Sequence, residues 1–290
     1  MSIERITKSS KKSTIILKPN FLLPGVGRAG STFLYSCLKQ HPEIYLSTIK
    51  ELRFFSSNYE LGKKWYLKHF ESKKKFPAVG EASTEYMYSE KGTKKMHDFN
   101  PDFKFIFMLR NPVDRAFSNY KREIQVWGES RTFEEILETS DRYTWPGRYF
   151  THMSRYLKYF PKESLKFVVF EKFIKNTHNY LREICEFLNV NAKFKFNSSA
   201  FNRNPSKMPI NLPLQKFNRK LYYFNPKEHI LKQILRIGCG VGVNYINHLY
   251  FKSRKFPKMK EPTKTYLKEY FNDEILKLEE LIEQDLSIWK

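Results

Sequence analysis

The strongest constraint on the fold is the stretch FLLPGVGRAGST, residues 21–32, in which an apolar run, a glycine-rich turn and a helix start follow one another directly. Glycines let the backbone curl so that successive amide N–H groups point at one anion. A helix N-terminus adds free N–H groups and the positive end of its dipole. Arg28 adds a permanent cation, and Ser31 and Thr32 add hydroxyl donors. The stretch predicts a phosphate-binding loop formed by Gly27, Arg28, Ala29, Gly30, Ser31 and Thr32.

This loop departs from the nucleotide-binding Walker A pattern, which is Gly, four residues, then Gly-Lys-Ser/Thr. Gly25 and Gly30 have the correct spacing, but Ser31 stands where the lysine belongs. The nearest cation, Arg28, comes two residues before Gly30. The departure argues against a kinase or an ATP- or GTP-hydrolysing enzyme, which stays open as an alternative, and favours a different phosphate donor.

Short apolar runs alternate with helical stretches along the chain. Strands are predicted at 21–23, near 44–46, and at 78–80, 104–109 and 165–170, and helices at 31–40, 113–127, 177–188 and 273–286. Continuous apolar strands alternating with helices are typical of a buried parallel sheet. We therefore predict an α/β, P-loop-like three-layer fold with a central, mostly parallel sheet flanked by helices. Residues 1–19 are expected to form a basic tail, and residues 20–290 a single domain.

Composition bounds the class of protein further. The 41% hydrophobic content and 26 Phe of the 290 residues are enough for a sizeable core. The three cysteines, Cys37, Cys185 and Cys239, are widely spaced, which suggests neither a disulfide framework nor a zinc site. The basic N-terminus lacks the apolar core of a secretory signal, and no run reaches the roughly 18 apolar residues of a spanning helix. We expect a cytoplasmic protein.

The charge balance favours anionic partners. Lys and Arg number 52 and Asp and Glu 30, which gives a formal net charge of +22. No helix-turn-helix, zinc-finger or RNA-binding aromatic motif supports nucleic acid as the partner. A non-enzymatic protein that binds long polyanions remains an alternative, as does a lysine-rich surface that only contacts water.

A second cationic site is predicted where the run KFIFML, residues 104–109, ends at Arg110. Open α/β sheets bind ligands at the carboxyl ends of their strands. Ser118 follows eight residues later, about two turns into the next predicted helix. Arg115 and Arg122 flank this serine. Arg110 and Ser118 suit a second phosphate, and the alternative is a surface salt-bridge cluster.

Glu51 is a candidate general base. It lies in the segment KELRFF, residues 50–55, just after the predicted strand near 44–46. A carboxylate beside basic and aromatic residues suits proton abstraction. The alternative is a solvated surface charge.

Together these motifs resemble the sulfotransferases that use 3′-phosphoadenosine 5′-phosphosulfate (PAPS), especially bacterial members related to heparan sulfate N- and O-sulfotransferases. Residues 25–32 are similar to the family's 5′-phosphosulfate loop, 110–118 to its 3′-phosphate motif, and 50–55 to the segment with the catalytic glutamate. Residues 80–83 and 147–149 also match. Lys252, Arg254 and Lys255 are similar to the basic loop over the 3′-phosphate, and residues 262–289 to the closing helix.

The resemblance implies transfer of the sulfuryl group of PAPS to an acceptor hydroxyl or amine on a carbohydrate or glycolipid, and the excess of Lys and Arg favours an anionic acceptor. Arg28 would stabilise the leaving group, and Glu51 would accept the proton of the acceptor. Arg110, Ser118 and the basic residues 252–255 would hold the 3′-phosphate. No metal is expected, because fixed cations replace Mg²⁺.

Two departures from the family pattern bear on this expectation. Most relatives have lysine where this chain has Arg28, so the role of Arg28 would be electrostatic. A substrate-side lysine of the vertebrate heparan branch is Ala82 here, which argues against a heparan-like acceptor.

The segment IGCGVGV, residues 237–243, imitates a dinucleotide-binding glycine pattern but follows no convincing strand, so it is interpreted as a flexible connection. With residues 249–251 it allows a peripheral membrane contact, for which its length gives no support.

Overall fold

The computed structural model describes residues 14–197 and 256–290. The strands are β1 (Ile15–Ile16), β2 (Phe21–Gly25), β3 (Ile44–Leu46), β4 (Glu71–Ser72), β5 (Ala78–Ala82), β6 (Lys104–Leu109) and β7 (Leu165–Val169). The helices are α1 (Ser31–Leu38), α2 (Gly62–Leu67), α3 (Gly92–Phe99), α4 (Pro112–Trp127), α5 (Phe133–Thr139), α6 (Tyr149–Tyr156), α7 (Phe170–Phe173), α8 (Thr177–Phe187) and α9 (Glu261–Ile282). None of these helices has both the length and the apolar composition needed to cross a membrane.

The centre of the fold is a five-stranded sheet with the order β3-β5-β2-β6-β7. Every pairing within it is parallel, while β1 pairs separately with β4 in antiparallel fashion. The helices flank this sheet, so the predicted three-layer α/β fold is confirmed. Because β2 lies between β5 and β6, the carboxyl ends of these three strands meet at one edge, where ligands bind in open parallel sheets.

Burial on both faces explains why the strands read as continuous apolar runs. All five residues of β2 are buried, as are all of β6 except Lys104. Aromatic rings fill the space beside β6: the ring of Tyr156 lies 4.9 Å from Phe107 and 5.2 Å from Phe105, both nearly perpendicular. Such edge-to-face contacts stabilise a core beyond the area that they bury. A rigid core therefore supports the strand ends that carry the site.

Several predicted boundaries are corrected by the structure. Helix α1 ends at Leu38 and not at residue 40, and Phe170 begins α7 instead of ending β7. The final helix spans Glu261–Ile282 and not 273–286. It starts earlier because Pro262 lies in its first turn, where a missing N–H costs no hydrogen bond. It ends earlier because Glu283 adopts a left-handed conformation, with φ 53°.

Part of the N-terminal region pairs with β4, outside the central sheet. Strand β1 lies inside the segment expected to be a basic tail, and the amide of Leu17 donates to the carbonyl of Phe70 at 2.9 Å. Leu17 is buried. The single domain over residues 20–290 stays a prediction.

Candidate active site

The glycine-rich loop connects the end of β2 to the start of α1. Gly30 is the N-cap of α1 and has φ 87°, a left-handed conformation that favours glycine. A Cβ atom on Gly30 would lie 2.7 Å from the ring of Phe170, so a larger residue does not fit there. Arg28 is also left-handed, with φ 74°. The curled loop leaves the N-terminus of α1 facing the carboxyl edge of the sheet, as the sequence predicts.

Two arginines join this loop to the start of α4. The Nε atom of Arg28 donates a hydrogen bond to Oγ of Ser118 at 3.1 Å. The Nη1 atom of Arg110 donates to the carbonyl oxygen of Arg28, also at 3.1 Å. The structure thus brings Arg28 together with two other predicted site residues, Arg110 and Ser118, which lie 82 and 90 positions further along the chain.

The charges at this junction repel one another. Burial, and then the nearby positive charges of Arg122, Arg110 and Arg115, lower the pKa of Arg28 to about 10. The Nε atom of Arg110 is buried and has no hydrogen-bond partner among the described residues. Clustered cations with an unused donor are stabilised when an anion binds between them. Arg115 is fully buried and donates to the carbonyl of Tyr143, and its Nε atom likewise has no hydrogen-bond partner among the described residues.

Hydrogen bonds hold the backbone at Arg110 and the neighbouring Asn111 in place. The hydroxyl of Tyr149 donates to the carbonyl of Arg110 at 2.7 Å. Asn111 caps α4 by accepting from the amide of Val113 at 3.0 Å, and its side chain donates to the carbonyl of Trp289 at 3.2 Å. The indole of Trp289 is buried and donates to Glu171 at 3.0 Å. The C-terminal segment therefore closes over the turn that carries Arg110.

Glu51 lies beside the glycine-rich loop. Its amide donates to the carbonyl of Ala82 at 2.8 Å, which ties it to the end of β5. Its carboxylate accepts from the amide of Thr84 at 2.9 Å and from Oγ1 of Thr84 at 3.1 Å. Thr84 in turn borders the loop, since its Oγ1 lies 3.5 Å from where a Cβ of Gly27 would be. Glu51 has a left-handed φ of 63°, a conformation that non-glycine residues adopt mainly where the surroundings enforce it.

The structure adds Lys50, to which the sequence argument assigned no role. Its Nζ atom donates to Oγ1 of Thr32 at 3.0 Å and to Oγ of Ser31 at 3.3 Å. The same atom lies 3.3 Å from Oε1 of Glu51. The only sequence signal for this residue is its position next to Glu51. A lysine thus reaches the loop that lacks one of its own, from a different segment of the chain.

A buried carboxyl group supports the segment that follows Glu51. Glu81 is fully buried, and burial raises its pKa to about 7. It accepts hydrogen bonds from Tyr86 at 2.6 Å and Ser83 at 2.7 Å. Oγ of Ser83 also accepts from the amide of Arg53 at 2.9 Å. This network fixes the backbone two residues beyond Glu51, so Glu81 has a structural role.

The remaining predicted binding residues lie outside the part of the chain that the structure describes. These are Lys252, Arg254 and Lys255, together with the segments 237–243 and 249–251. Within residues 14–197 and 256–290, no group of three or more His, Cys, Asp or Glu could hold a metal ion.

Comparison with known proteins identifies the family and the fold. A family model described as a sulfotransferase domain matches residues 18–220. The mouse bifunctional heparan sulfate N-deacetylase/N-sulfotransferase 4 is 25% identical, over 97% of this chain and 32% of its own length. A membrane-associated sulfotransferase of Dictyostelium discoideum, kil1, is 34% identical over 42% of this chain and 28% of its own length. The crystal structure of a sulfotransferase from Alicyclobacillus acidocaldarius superposes with a TM-score of 0.70 and 25% identity, over 94% of this chain and 99% of that one.

The chain therefore belongs to the sulfotransferase family, and the family resemblance predicted from its sequence is confirmed. It spans about a third of the length of the heparan-modifying relatives that it matches. The phosphate-loop residues, Arg110, Ser118 and Glu51 form one continuous site at the carboxyl edge of the sheet. Their individual roles stay predictions.

The shape of the loop gives a first prediction. Gly30→Ala is expected to weaken binding of adenosine 3′,5′-bisphosphate (PAP) about tenfold or more, because the new methyl group strains a left-handed φ and overlaps Phe170. Isothermal titration calorimetry measures the affinity. Gly62→Ala is the matched control, since φ there is also left-handed, at 79°, but a Cβ meets nothing within 4 Å. Equal PAP affinities in the two variants would show that the loop does not hold the nucleotide.

Proposed function

We propose that this chain transfers the sulfuryl group of PAPS to an acceptor hydroxyl or amine and releases PAP. The observation that carries the proposal is the hydrogen bond between Arg28 and Ser118, which joins two cationic sites into one. PAPS has a phosphosulfate at the 5′ position of its ribose and a phosphate at the 3′ position. A loop at a helix N-terminus suits the first group, and Arg110 with Ser118 suits the second.

In the proposed reaction the acceptor oxygen or nitrogen attacks sulfur, and the bond from sulfur to the bridging oxygen breaks. Glu51 accepts the proton of the acceptor. Negative charge builds on the 5′-phosphate as PAP leaves, and Arg28 with the loop amides stabilises it. As in phosphoryl transfer, alignment and charge stabilisation do most of the work. Fixed guanidinium groups take the place of Mg²⁺ in this mechanism.

The proposed acceptor is a carbohydrate or a glycolipid. Support comes from the relatives named as heparan sulfate N-sulfotransferases and from the net charge of +22, which favours an anionic acceptor. Ala82 is buried where the heparan branch has a lysine, which favours a glycan other than heparan sulfate. The proposal also includes a cytoplasmic location, consistent with the free, buried Cys37 and Cys185, and the basic residues 252–255 as 3′-phosphate ligands.

The test of the proposed function is a comparison of nucleotides. The protein is titrated with PAP, with AMP and with ATP plus Mg²⁺, and PAPS turnover is then followed with a panel of glycans. Micromolar PAP binding with much weaker AMP binding supports the proposal. Equal affinity for PAP and AMP contradicts it, and Mg²⁺-dependent ATP turnover would favour the kinase or NTPase alternative. Binding of long polyanions without nucleotide binding would favour the non-enzymatic alternative.

The assignment of the 3′-phosphate site gives a second prediction. Arg110→Ala is expected to weaken PAP binding about 10- to 100-fold, the scale of one or more lost hydrogen bonds to a charged group. Binding of AMP, which lacks the 3′-phosphate, should change little. Calorimetry with both ligands measures the difference. Arg182→Ala, which removes an exposed arginine from α8, should leave both affinities unchanged. If Arg110→Ala weakened AMP and PAP binding equally, the 3′-phosphate assignment would be wrong.

A further inference from the structure

Lys50 makes contacts that no motif of the sequence accounts for. Its ammonium group touches three polar partners at once: Oγ1 of Thr32 at 3.0 Å, and Oγ of Ser31 and Oε1 of Glu51 at 3.3 Å each. The side chain is only 22% exposed. One cation therefore bridges the first turn of α1, at the end of the phosphate loop, and the candidate base.

These contacts leave hydrogen-bond donors available for an anion. A serine or threonine hydroxyl can accept one hydrogen bond while it donates another. Ser31 and Thr32 accept from Lys50, so their own protons remain available for a phosphate or sulfate group at the N-terminus of α1. The ammonium and the two hydroxyls can then act on the same anion.

We propose that Lys50 is a catalytic residue that contacts the 5′-phosphosulfate and stabilises the charge of the leaving group together with Arg28. The proposal rests on the PAPS-dependent function proposed above and assigns a further group to that site. In the Walker A pattern the residue after the second glycine is a lysine, and here that residue is Ser31. Lys50 thereby brings a lysine side chain to this part of the loop from another segment of the chain.

The contact between Lys50 and Glu51 makes this stabilisation specific to the transition state. Before transfer, the ammonium is shared between the carboxylate of Glu51 and the anionic donor. The acceptor then forms its bond to sulfur, its proton moves to Glu51, and the electron pair of the broken bond stays on the bridging oxygen. Glu51 becomes neutral as the 5′-phosphate becomes more negative, so the attraction of Lys50 shifts to the leaving group. Interactions that strengthen only in the transition state accelerate the chemical step.

Ligand binding tests the contact without requiring an acceptor. PAP and adenosine 3′-phosphate differ only in the 5′-phosphate, so the ratio of their affinities reports on the loop site. Lys50→Ala is expected to lower the affinity for PAP about tenfold or more and to leave that for adenosine 3′-phosphate unchanged. Lys39→Ala, which removes an exposed lysine just after α1, should change neither. Equal losses for both ligands would indicate a general structural effect and overturn the proposal.

Turnover tests the catalytic role. With PAPS and water as the acceptor, Lys50→Ala should lower kcat about 100-fold, the scale of one lost charge stabiliser. Lys50→Arg, which keeps the positive charge, should recover much of that loss, whereas Lys50→Met should not. The double variant Lys50→Ala/Glu51→Gln should lose less than the product of the two single losses, since the groups act together.

The outcomes separate this inference from the proposed function. If the natural sequence turns PAPS over and Lys50→Ala does so within about threefold, Lys50 is not catalytic while the function stands. If Lys50→Arg and Lys50→Met are equally impaired, charge is not the contribution of Lys50, and the inference is again overturned. If the natural sequence neither prefers PAP over AMP nor turns PAPS over, the function fails and the role of Lys50 fails with it.

Discussion

Replacing Arg28 with alanine is expected to lower the turnover of PAPS about 100- to 1,000-fold. The guanidinium lies within the loop that faces the departing phosphate in the proposed reaction, and its Nε atom donates to Oγ of Ser118 at 3.1 Å. A fixed charge in a partly buried site stabilises the growing negative charge without reorganising during the reaction, and removing one such donor costs this much in kcat. The kcat and KM for PAPS are measured at saturating acceptor.

A conservative change separates charge from shape at the same position. Arg28→Lys keeps the cation but loses the planar fork that reaches Ser118, so an intermediate turnover is expected. Arg131→Ala removes an exposed arginine paired with Glu129 and should have no effect on turnover. Turnover in Arg28→Ala within a factor of three of the natural sequence would show that the loop cation does not stabilise the leaving group.

The architecture could be predicted because it depends on local patterns. The continuous apolar run of β6 and the helix after it indicate a parallel strand in a covered sheet, and the structure has both at nearly the predicted positions. The start of α9 was predicted twelve residues too late, since apolar periodicity is weak in its first turns. The cue that was missed is Pro262, which is favoured in the first turn of a helix.

The site could be predicted only as separate parts. Arg28 and Ser118 were each assigned to a phosphate, but their hydrogen bond depends on β2 and β6 being neighbours, and strand order is not written in any local pattern. Lys50 was missed for the same reason, since its partners Ser31 and Thr32 lie 19 and 18 residues away. Glu81 resembles an ordinary surface glutamate in the sequence, yet it is fully buried among hydroxyl groups.

The contacts of Glu51 also connect the two events of the proposed reaction, which are proton transfer from the acceptor and stabilisation of the leaving group. Its backbone is tied to β5 through Ala82, and its carboxylate is held by both donors of Thr84. A carboxylate held by three neighbouring groups loses little freedom when it accepts a proton, because its orientation is already set. The backbone at Glu51 is left-handed, and its carboxylate lies 3.3 Å from the ammonium group of Lys50.

Glu51→Gln is accordingly expected to lower PAPS turnover about 100-fold or more, the usual contribution of a positioned acid–base group. The amide keeps the size of the side chain and can still accept from Thr84, but it cannot take the proton of the acceptor. PAP affinity should be unchanged or slightly higher, because the carboxylate no longer competes for Lys50. A loss in kcat with PAP binding retained is the signature of a base that acts on the acceptor. Glu85→Gln, next to Thr84 in the chain but bound to Ser57 and Arg53, is the matched control and should keep normal turnover. Near-normal turnover in Glu51→Gln would remove Glu51 as the base and leave its carboxylate a purely structural role beside Lys50.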